Sequence, residues 1–201
     1  MKLNFWETVL VNNPVRSFVQ HHVEAPRLLR LGGRLDGKDV LEIGCGRGVG
    51  VEVIFQRFGA ARVTAFDLDP KMVERARRRL AAYPRERLTL SVGSATAIAA
   101  SDESFDAVFD FGILHHVPDW QTAVREVARV LKPGGRFYFE EVTRQALERW
   151  SYRMFLDHPK ENRFGVQEFV GELEKSGIAV GAGIESIISN DIFTGVGKRF
   201  G

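Results

Sequence analysis

From Asp39 onward the chain alternates short apolar, β-branched runs with segments whose apolar residues recur at helical spacing. That order is expected of a mainly parallel sheet with helices on both faces. The pattern places strands over Val40–Ile43, Arg62–Phe66, Leu88–Val92, Ala107–Phe111 and Arg136–Glu140. After the second strand, Asp69-Pro70 offers a cap and a first-turn proline, and Met72, Val73, Ala76 and Leu80 fall on one helical face. After the fourth, Asp119 caps a helix on which Trp120, Ala123, Val124, Val127, Ala128 and Leu131 repeat, and Pro133-Gly134-Gly135 stops it. Near the end, Ala179–Ile188 and Ile192–Arg199 are extended runs separated only by Ser189, Asn190 and Asp191. No crossover helix fits in that gap, so these two strands should pair antiparallel. Two stretches fall outside the alternation: residues 1–34, expected to be a helical cap ahead of the sheet, and residues 143–164, inserted after the fifth strand.

Composition adds limits. A chain of 201 residues with 44% hydrophobic content and 15 Phe suits one continuous core, so residues 1–201 are read as a single α/β domain. The formal charge is only +2, from 28 basic and 26 acidic side chains, so no global field draws the protein to nucleic acid or an anionic membrane. The basic run Arg75, Arg77, Arg78 and Arg79 spreads around an outer helical surface and reads as a solvated face. A lone cysteine, Cys45, allows neither an internal disulfide nor a paired-cysteine metal site, which fits a reducing compartment and a reaction independent of metal. Residues 1–33 hold no apolar run near the roughly 20 residues needed to span a bilayer. A cytoplasmic protein is the expectation.

The strongest local signal is Val40-Leu41-Glu42-Ile43-Gly44-Cys45-Gly46-Arg47-Gly48, a buried strand running into a glycine-rich turn and then a helix. Gly44, Gly46 and Gly48 at alternate positions let the backbone approach a ligand at the carboxyl end of the first strand, where open α/β sheets bind nucleotides. A dinucleotide fingerprint needs its third glycine one place later, where Val49 stands. Glu42 adds a physical objection, because a carboxylate at the mouth of the turn repels a pyrophosphate yet suits a ligand bearing an ammonium and a sulfonium. Beyond the turn, Phe66-Asp67 ends the second strand with a carboxylate able to accept both hydroxyls of a ribose. Asp69 also qualifies by position, but as the helix cap it leaves the ribose to Asp67.

With these residues in place the chain resembles the class I S-adenosylmethionine-dependent methyltransferases, from Lys38 to nearly its end. The segments carrying the resemblance are Val40–Gly48, Val63–Arg75, Val92–Ile98, Phe105–Val117 and Leu131–Phe139, in the family's order. In detail it is similar to the small-molecule branch that includes the ubiquinone and menaquinone biosynthesis enzymes. The resemblance implies a Rossmann-like, doubly wound seven-stranded sheet in the order 3-2-1-4-5-7-6, with the seventh strand antiparallel. It also implies S-adenosylmethionine as cofactor and S-adenosylhomocysteine as product. Glu42, Gly44, Cys45 and Gly46 would surround the amino-acid part of the cofactor, Asp67 would hold the ribose, and Leu68 would lie against the adenine. Ser94, Ala95 and Thr96 would follow the adenine edge, while Asp110 and Phe111 would flank the methionine portion. Many members carry an aspartate at the place of Ser94; the hydroxyl lacks charge assistance, a loss of about 1 kcal/mol in that hydrogen bond.

On the acceptor side, methyl transfer needs mainly proximity and alignment, with a general base only where the acceptor atom carries a proton. Candidate bases are His115 and His116 after the fourth strand and Glu140 beside Glu141 on the fifth. Neighbours in a strand face opposite ways, so only one of the two glutamates can face the site. Phe5, Trp6, Val9 and Leu10, ended by Asn12-Asn13-Pro14, read equally as a lid and as simple packing. The insertion interleaves Trp150, Tyr152, Met154 and Phe155 with Arg144, Arg149, Arg153, His158, Lys160 and Arg163. It reads either as a pocket for an anionic or aromatic small-molecule acceptor or as an amphipathic helix with a solvated basic face. Three alternatives stay open: an NAD(P)-dependent oxidoreductase, a cofactor-binding protein without catalysis, and a quinone methyltransferase that meets the membrane through its N-terminal helix. Nucleic acid is not expected as a partner. The fourth strand ends Asp110-Phe111-Gly112, unlike the amino-methylating DNA enzymes, and Cys45 belongs to the glycine turn.

Overall fold

The computed structural model describes residues 14–148, 162–181, 183–187 and 191–201. Helical residues come first: α1 (Pro14–Val19), a π-helical turn over Gln20–Glu24 and α2 (Ala25–Gly32). The alternating region follows as β1 (Asp39–Ile43), α3 (Val49–Val53) with a π-helical turn to Phe58, β2 (Arg62–Asp67), α4 (Pro70–Arg79), β3 (Leu88–Val92), β4 (Phe105–Phe111), α5 (Trp120–Val130) and β5 (Leu131–Val142). The chain then adds α6 (Arg144–Glu148), α7 (Val166–Lys175), β6 (Ile178–Ala179), β7 (Ile184–Ile187) and β8 (Ile192–Arg199). None of the described helices is long and apolar enough to cross a membrane.

The sheet runs β3-β2-β1-β4-β5-β8, parallel as far as β5, with β8 antiparallel to it. Both β6 and β7 pair antiparallel with the outer side of β8. Counting that interrupted edge as one strand reproduces the 3-2-1-4-5-7-6 order expected from the sequence. Side chains alternate across the sheet, as the two-residue period requires. Val108, Phe137 and Phe139 join Trp120, Phe164, Phe169 and Phe193 in one core; Phe109 and Tyr138 join Leu28, Ile54 and Phe58 in the other.

The helix starts follow the cap chemistry legible in the chain. Asp69 Oδ1 accepts from Lys71 N at 3.0 Å, and Asp119 Oδ1 accepts from Thr122 N at 3.2 Å. Two boundaries differ from expectation. The helix over 120–131 ends at Val130, because Leu131 pairs with Phe105 and is the first residue of β5; Pro133-Gly134-Gly135 forms an irregularity inside that strand. The run 179–188 is broken after Ala179: Gly183 N donates to Val180 O at 3.1 Å before β7 begins at Ile184. The Phe5–Leu10 stripe lies outside the described residues.

The helices ahead of β1 are tied to the middle of the sheet. The Tyr138 hydroxyl donates to Gly32 O at 2.8 Å, and its ring stacks on Phe109 at 4.5 Å. A Cβ at Gly32 would lie 2.4 Å from Tyr138 Cε1, and that ring is fully buried and cannot swing away. Gly32→Ala should therefore cost about 1–3 kcal/mol by overpacking, seen as a lower urea midpoint with an unchanged m-value.

Candidate functional site

The parallel register aligns the carboxyl ends of the central strands: Ile43 lies beside Phe66 and Asp110, and Phe111 beside Glu140. Strand order reverses between β1 and β4, which opens the crevice where such sheets bind ligands. A cavity of about 400 Å³ sits there. Its floor is the turn after β1. Gly44 holds a positive φ of +69°, and a Cβ on it would lie 2.5 Å from Ile113 Cγ2. Gly46, at φ +51°, donates its N–H to Asp67 Oδ2 at 2.8 Å.

Of the expected cofactor contacts, the cavity wall contains Glu42, Gly44, Cys45, Gly46, Asp67, Leu68, Ser94, Ala95, Thr96 and Phe111. Two stand behind it. Gly48 begins α3 pressed against α4, where a Cβ would lie 2.8 Å from Leu80 Cδ1. Asp110 is fully buried, with Oδ1 accepting from Ile113 N at 2.8 Å. Ser94 Oγ is 2.9 Å from Thr96 Oγ1, so the two hydroxyls at the Ser94–Thr96 turn already share a hydrogen bond. Leu68 exposes an apolar side chain at the rim.

The electrostatics centre on Glu42. It is buried, and its Oε2 has no hydrogen-bond partner among the described residues. Gly50 packs so closely that a Cβ there would lie 1.9 Å from Glu42 Oε1. Burial first, and then the nearby carboxylates of Asp67 and Asp110, push the Glu42 carboxyl up to about 8. Asp67 is better supplied: Oδ1 accepts from Asp69 N at 2.8 Å while Oδ2 accepts from Gly46 N. These N–H groups fix the carboxylate at the cavity wall. Burial still raises Asp67 above its usual range against the pull of those bonds. The Cys45 thiol is held protonated by burial, with Glu42 and Asp67 adding to the effect.

The candidate bases separate into three environments. His116 lines the cavity. His115 faces away from it, with Nδ1 2.5 Å from Glu141 Oε2, and its ring packs on that of His116 at 4.1 Å. Glu140 lies behind the wall on the other side of the sheet, where Arg16 Nη2 donates to Oε1 at 3.3 Å. Arg16 also pairs with Glu24 and reaches Phe111 O at 3.4 Å. Burial, followed by the charge of Glu24, lifts Glu140 well above the carboxylate range despite the guanidinium.

Sequence reasoning missed Arg16, Ser17 and Gln20, which bring the first helices to the cavity wall, and Arg47, which donates to Ser17 Oγ at 2.7 Å. Their signal was only the helical expectation for residues 1–34, since contacts across about 95 positions, as between Arg16 and Phe111, leave no local pattern. Of the insertion, residues 149–161 lie outside the described region, including Trp150, Tyr152, Met154, Phe155, Arg149, Arg153, His158 and Lys160. Arg144 is described and pairs with Glu168, and Arg163 O accepts from Arg144 Nε at 3.2 Å. On α4, Arg78 and Arg79 pair with Glu74 and Glu52. No group of three or more His, Cys, Asp or Glu side chains suited to a metal occurs among the described residues.

Residues 41–139 match the family model described as a methyltransferase domain. The 2-methyl-6-phytyl-1,4-hydroquinone methyltransferase of Synechocystis sp. is 27% identical over 187 residues, covering 83% of this chain and 55% of that protein. The ubiquinone biosynthesis O-methyltransferase of Xanthomonas oryzae pv. oryzae is 39% identical over 127 residues, covering 62% of this chain and 52% of that protein. The chain thus spans about half the length of these relatives. The solved structure of a SAM-dependent methyltransferase from Aquifex aeolicus superposes with a TM-score of 0.76 at 20% identity over 98% of this chain and 100% of that one, a likeness of fold.

Because the Glu42 carboxyl lies near 4.5 when exposed and about 8 when folded, the penalty for its charge is absent below pH 4.5, grows with pH and is complete above 8. At 1.36 kcal/mol per unit, the full penalty is about 5 kcal/mol. Glu42→Gln should accordingly stabilise the fold by several kcal/mol at high pH and by little at low pH. Urea unfolding of both proteins at about pH 5 and pH 9 checks this sign.

Proposed function

The chain carries a methyltransferase domain over residues 41–139, and from that premise we propose that it transfers a methyl group from S-adenosylmethionine to a small-molecule acceptor, releasing S-adenosylhomocysteine. The observation that carries this reading is the Glu42 carboxylate, buried with Oε2 unpartnered in the same cavity as Asp67. A buried carboxylate of this kind is stabilised by a cationic ligand and repels a pyrophosphate. The donor set fits the cofactor part by part: Glu42 and the Gly44–Gly46 backbone for its charged amino-acid end, Asp67 for the ribose hydroxyls, and Leu68 with the Ser94–Thr96 turn for the base. Bound there, the cofactor supplies a methyl group on an already good sulfonium leaving group, so the proposed reaction calls for no metal.

The protein's own part is alignment and exclusion of water. Arg16, Ser17 and Gln20 close one side of the cavity, while Ile113, His116, Val117 and Pro118 form another. In this reading residues 14–32 cap the acceptor side of a single domain. His116 is the base candidate in direct reach, able to take a proton from an acceptor hydroxyl or amine at its imidazole nitrogen. Glu140 serves by holding Arg16, and through it the cap. The mixed wall suits an acceptor with one polar reacting group on an apolar body. The relatives named for a hydroquinone and for ubiquinone biosynthesis support starting an acceptor screen with small phenols and quinols.

Calorimetric titration with S-adenosylmethionine, S-adenosylhomocysteine and NAD tests the cofactor assignment. The two sulfur ligands should bind saturably and NAD should not, and Asp67→Ala should weaken the sulfur ligands about tenfold or more, equivalent to at least about 1.4 kcal/mol. Binding of NAD, or none of either sulfur ligand to the folded protein, would overturn the reading.

A further inference from the structure

Glu141 is used by none of the roles above, yet it is fully buried and receives four hydrogen bonds. Leu114 N donates to Oε1 at 2.6 Å. His115 N and Val142 N each donate to Oε2 at 3.2 Å, and His115 Nδ1 approaches the same oxygen at 2.5 Å. One strand away, Asp110 Oδ1 takes the N–H of Ile113. Two carboxyls at the ends of β4 and β5 therefore receive the consecutive amides of Ile113, Leu114 and His115, which open the 3₁₀ turn Leu114–His116 and have no helical acceptors of their own.

That turn supplies Ile113 and His116 to the cavity, with Val117 and Pro118 directly after it. We propose that Glu141 is a positioning residue for the acceptor side. Through the turn amides and the His115 imidazole it sets the place and tilt of His116 against the cavity. His115 is then a buttress: its Nδ1–H points at Glu141, and its ring supports that of His116 at 4.1 Å and 39°. Burial raises the Glu141 carboxyl, and the neighbouring Asp110 carboxyl, followed by the amides of Leu114, Val142 and His115, holds that rise to about 7. The proposal rests on the methyl-transfer reading for what His116 does, but the placement itself is testable without cofactor or acceptor.

The test compares wild type with Glu141→Gln and Glu141→Ala by the rate at which diethylpyrocarbonate modifies His116, followed by peptide mass spectrometry. In Glu141→Gln an NH₂ replaces one oxygen and cannot accept: at the Oε2 position it loses Nδ1, His115 N and Val142 N, and at the Oε1 position it loses Leu114 N. The first placement moves His115 to the Nε2–H tautomer in ¹⁵N-histidine spectra, and in either the rate at His116 should change severalfold. S-adenosylhomocysteine affinity should stay within a factor of about three, because the Asp67 side of the cavity is untouched. Glu141→Ala should show the same change at His116, larger. Equal His116 rates in wild type and folded Glu141→Gln would overturn the proposal whatever the tautomer. If neither variant folds, His115→Asn, whose amide can replace the Nδ1 donor though not the ring, should stay closer to the wild-type rate at His116 than His115→Ala; equal rates in those two variants would overturn it as well. Absence of S-adenosylhomocysteine binding to wild type counts against the methyl-transfer reading and leaves the His116 comparison intact.

Discussion

A carboxylate taken out of water must be given donors, a cation or a proton, and the carboxyl edge of this sheet is built around that constraint. Six acids gather there: Glu24, Glu42, Asp67, Asp110, Glu140 and Glu141, all but Asp67 buried. Each is settled differently. Glu141 is met by four N–H donors, Asp67 by two backbone amides, and Glu24 and Glu140 divide one guanidinium. Asp110 takes the Ile113 amide on one oxygen, while burial and then the neighbouring Glu141 raise it well above its usual range. Glu24, Asp110 and Glu140 each keep one oxygen without a described partner beside the one that is met, whereas Glu42 alone of the six has no hydrogen bond or ion pair among the described residues. The acids with partners fix the loops of the site, and the one without creates a demand for positive charge inside it.

This division explains how the cap and the acceptor-side turn come to share one cavity. Adjacent residues of β5 point to opposite faces, so Glu140 reaches the helices before β1 while Glu141 reaches the turn after β4. The strand is long and central, with β4 on one side and β8 on the other. Its two carboxylates are therefore anchored on the stiffest part of the fold and pass that stiffness to two loop segments. The core beneath is correspondingly aromatic: Phe109, Phe58 and Tyr138 interlock on the cap face, and Phe139, Phe169 and Phe193 on the other.

What the chain reveals in advance follows from the range of the interactions. Buried parallel strands are short, continuous apolar runs, so five of them stand out within a residue or two at most ends. The caps at Asp69 and Asp119 act over two or three residues and are legible for the same reason. Leu131 misleads because an apolar residue at helical spacing serves equally as the first buried residue of a strand. The break after Ala179 is hidden because the backbone bond from Gly183 N to Val180 O leaves no mark in the side-chain pattern. At the site, the glycine turn and Asp67 are adjacent in pattern and readable. Arg16 with Glu140 is not, and neither is the different orientation of His115 and His116, two identical side chains assigned opposite directions by a glutamate 26 positions away.

The placement of Glu42 shows why stability alone does not account for this sequence. An isosteric amide there would remove a buried charge and the repulsion from Asp67 and Asp110. The backbone would not object, since Gly50 already makes room for a side chain of that size. The fold thus carries an acid that weakens the ligand-free state increasingly as pH rises above about 4.5, beside the turn after the first strand. A cationic ligand recovers that energy on binding, and a neutral or anionic one does not, so the same burial that raises the carboxyl also discriminates among ligands. Selectivity for charge is therefore obtained from one carboxyl with no described partner, while the partnered acids around it hold the geometry in which a ligand meets it.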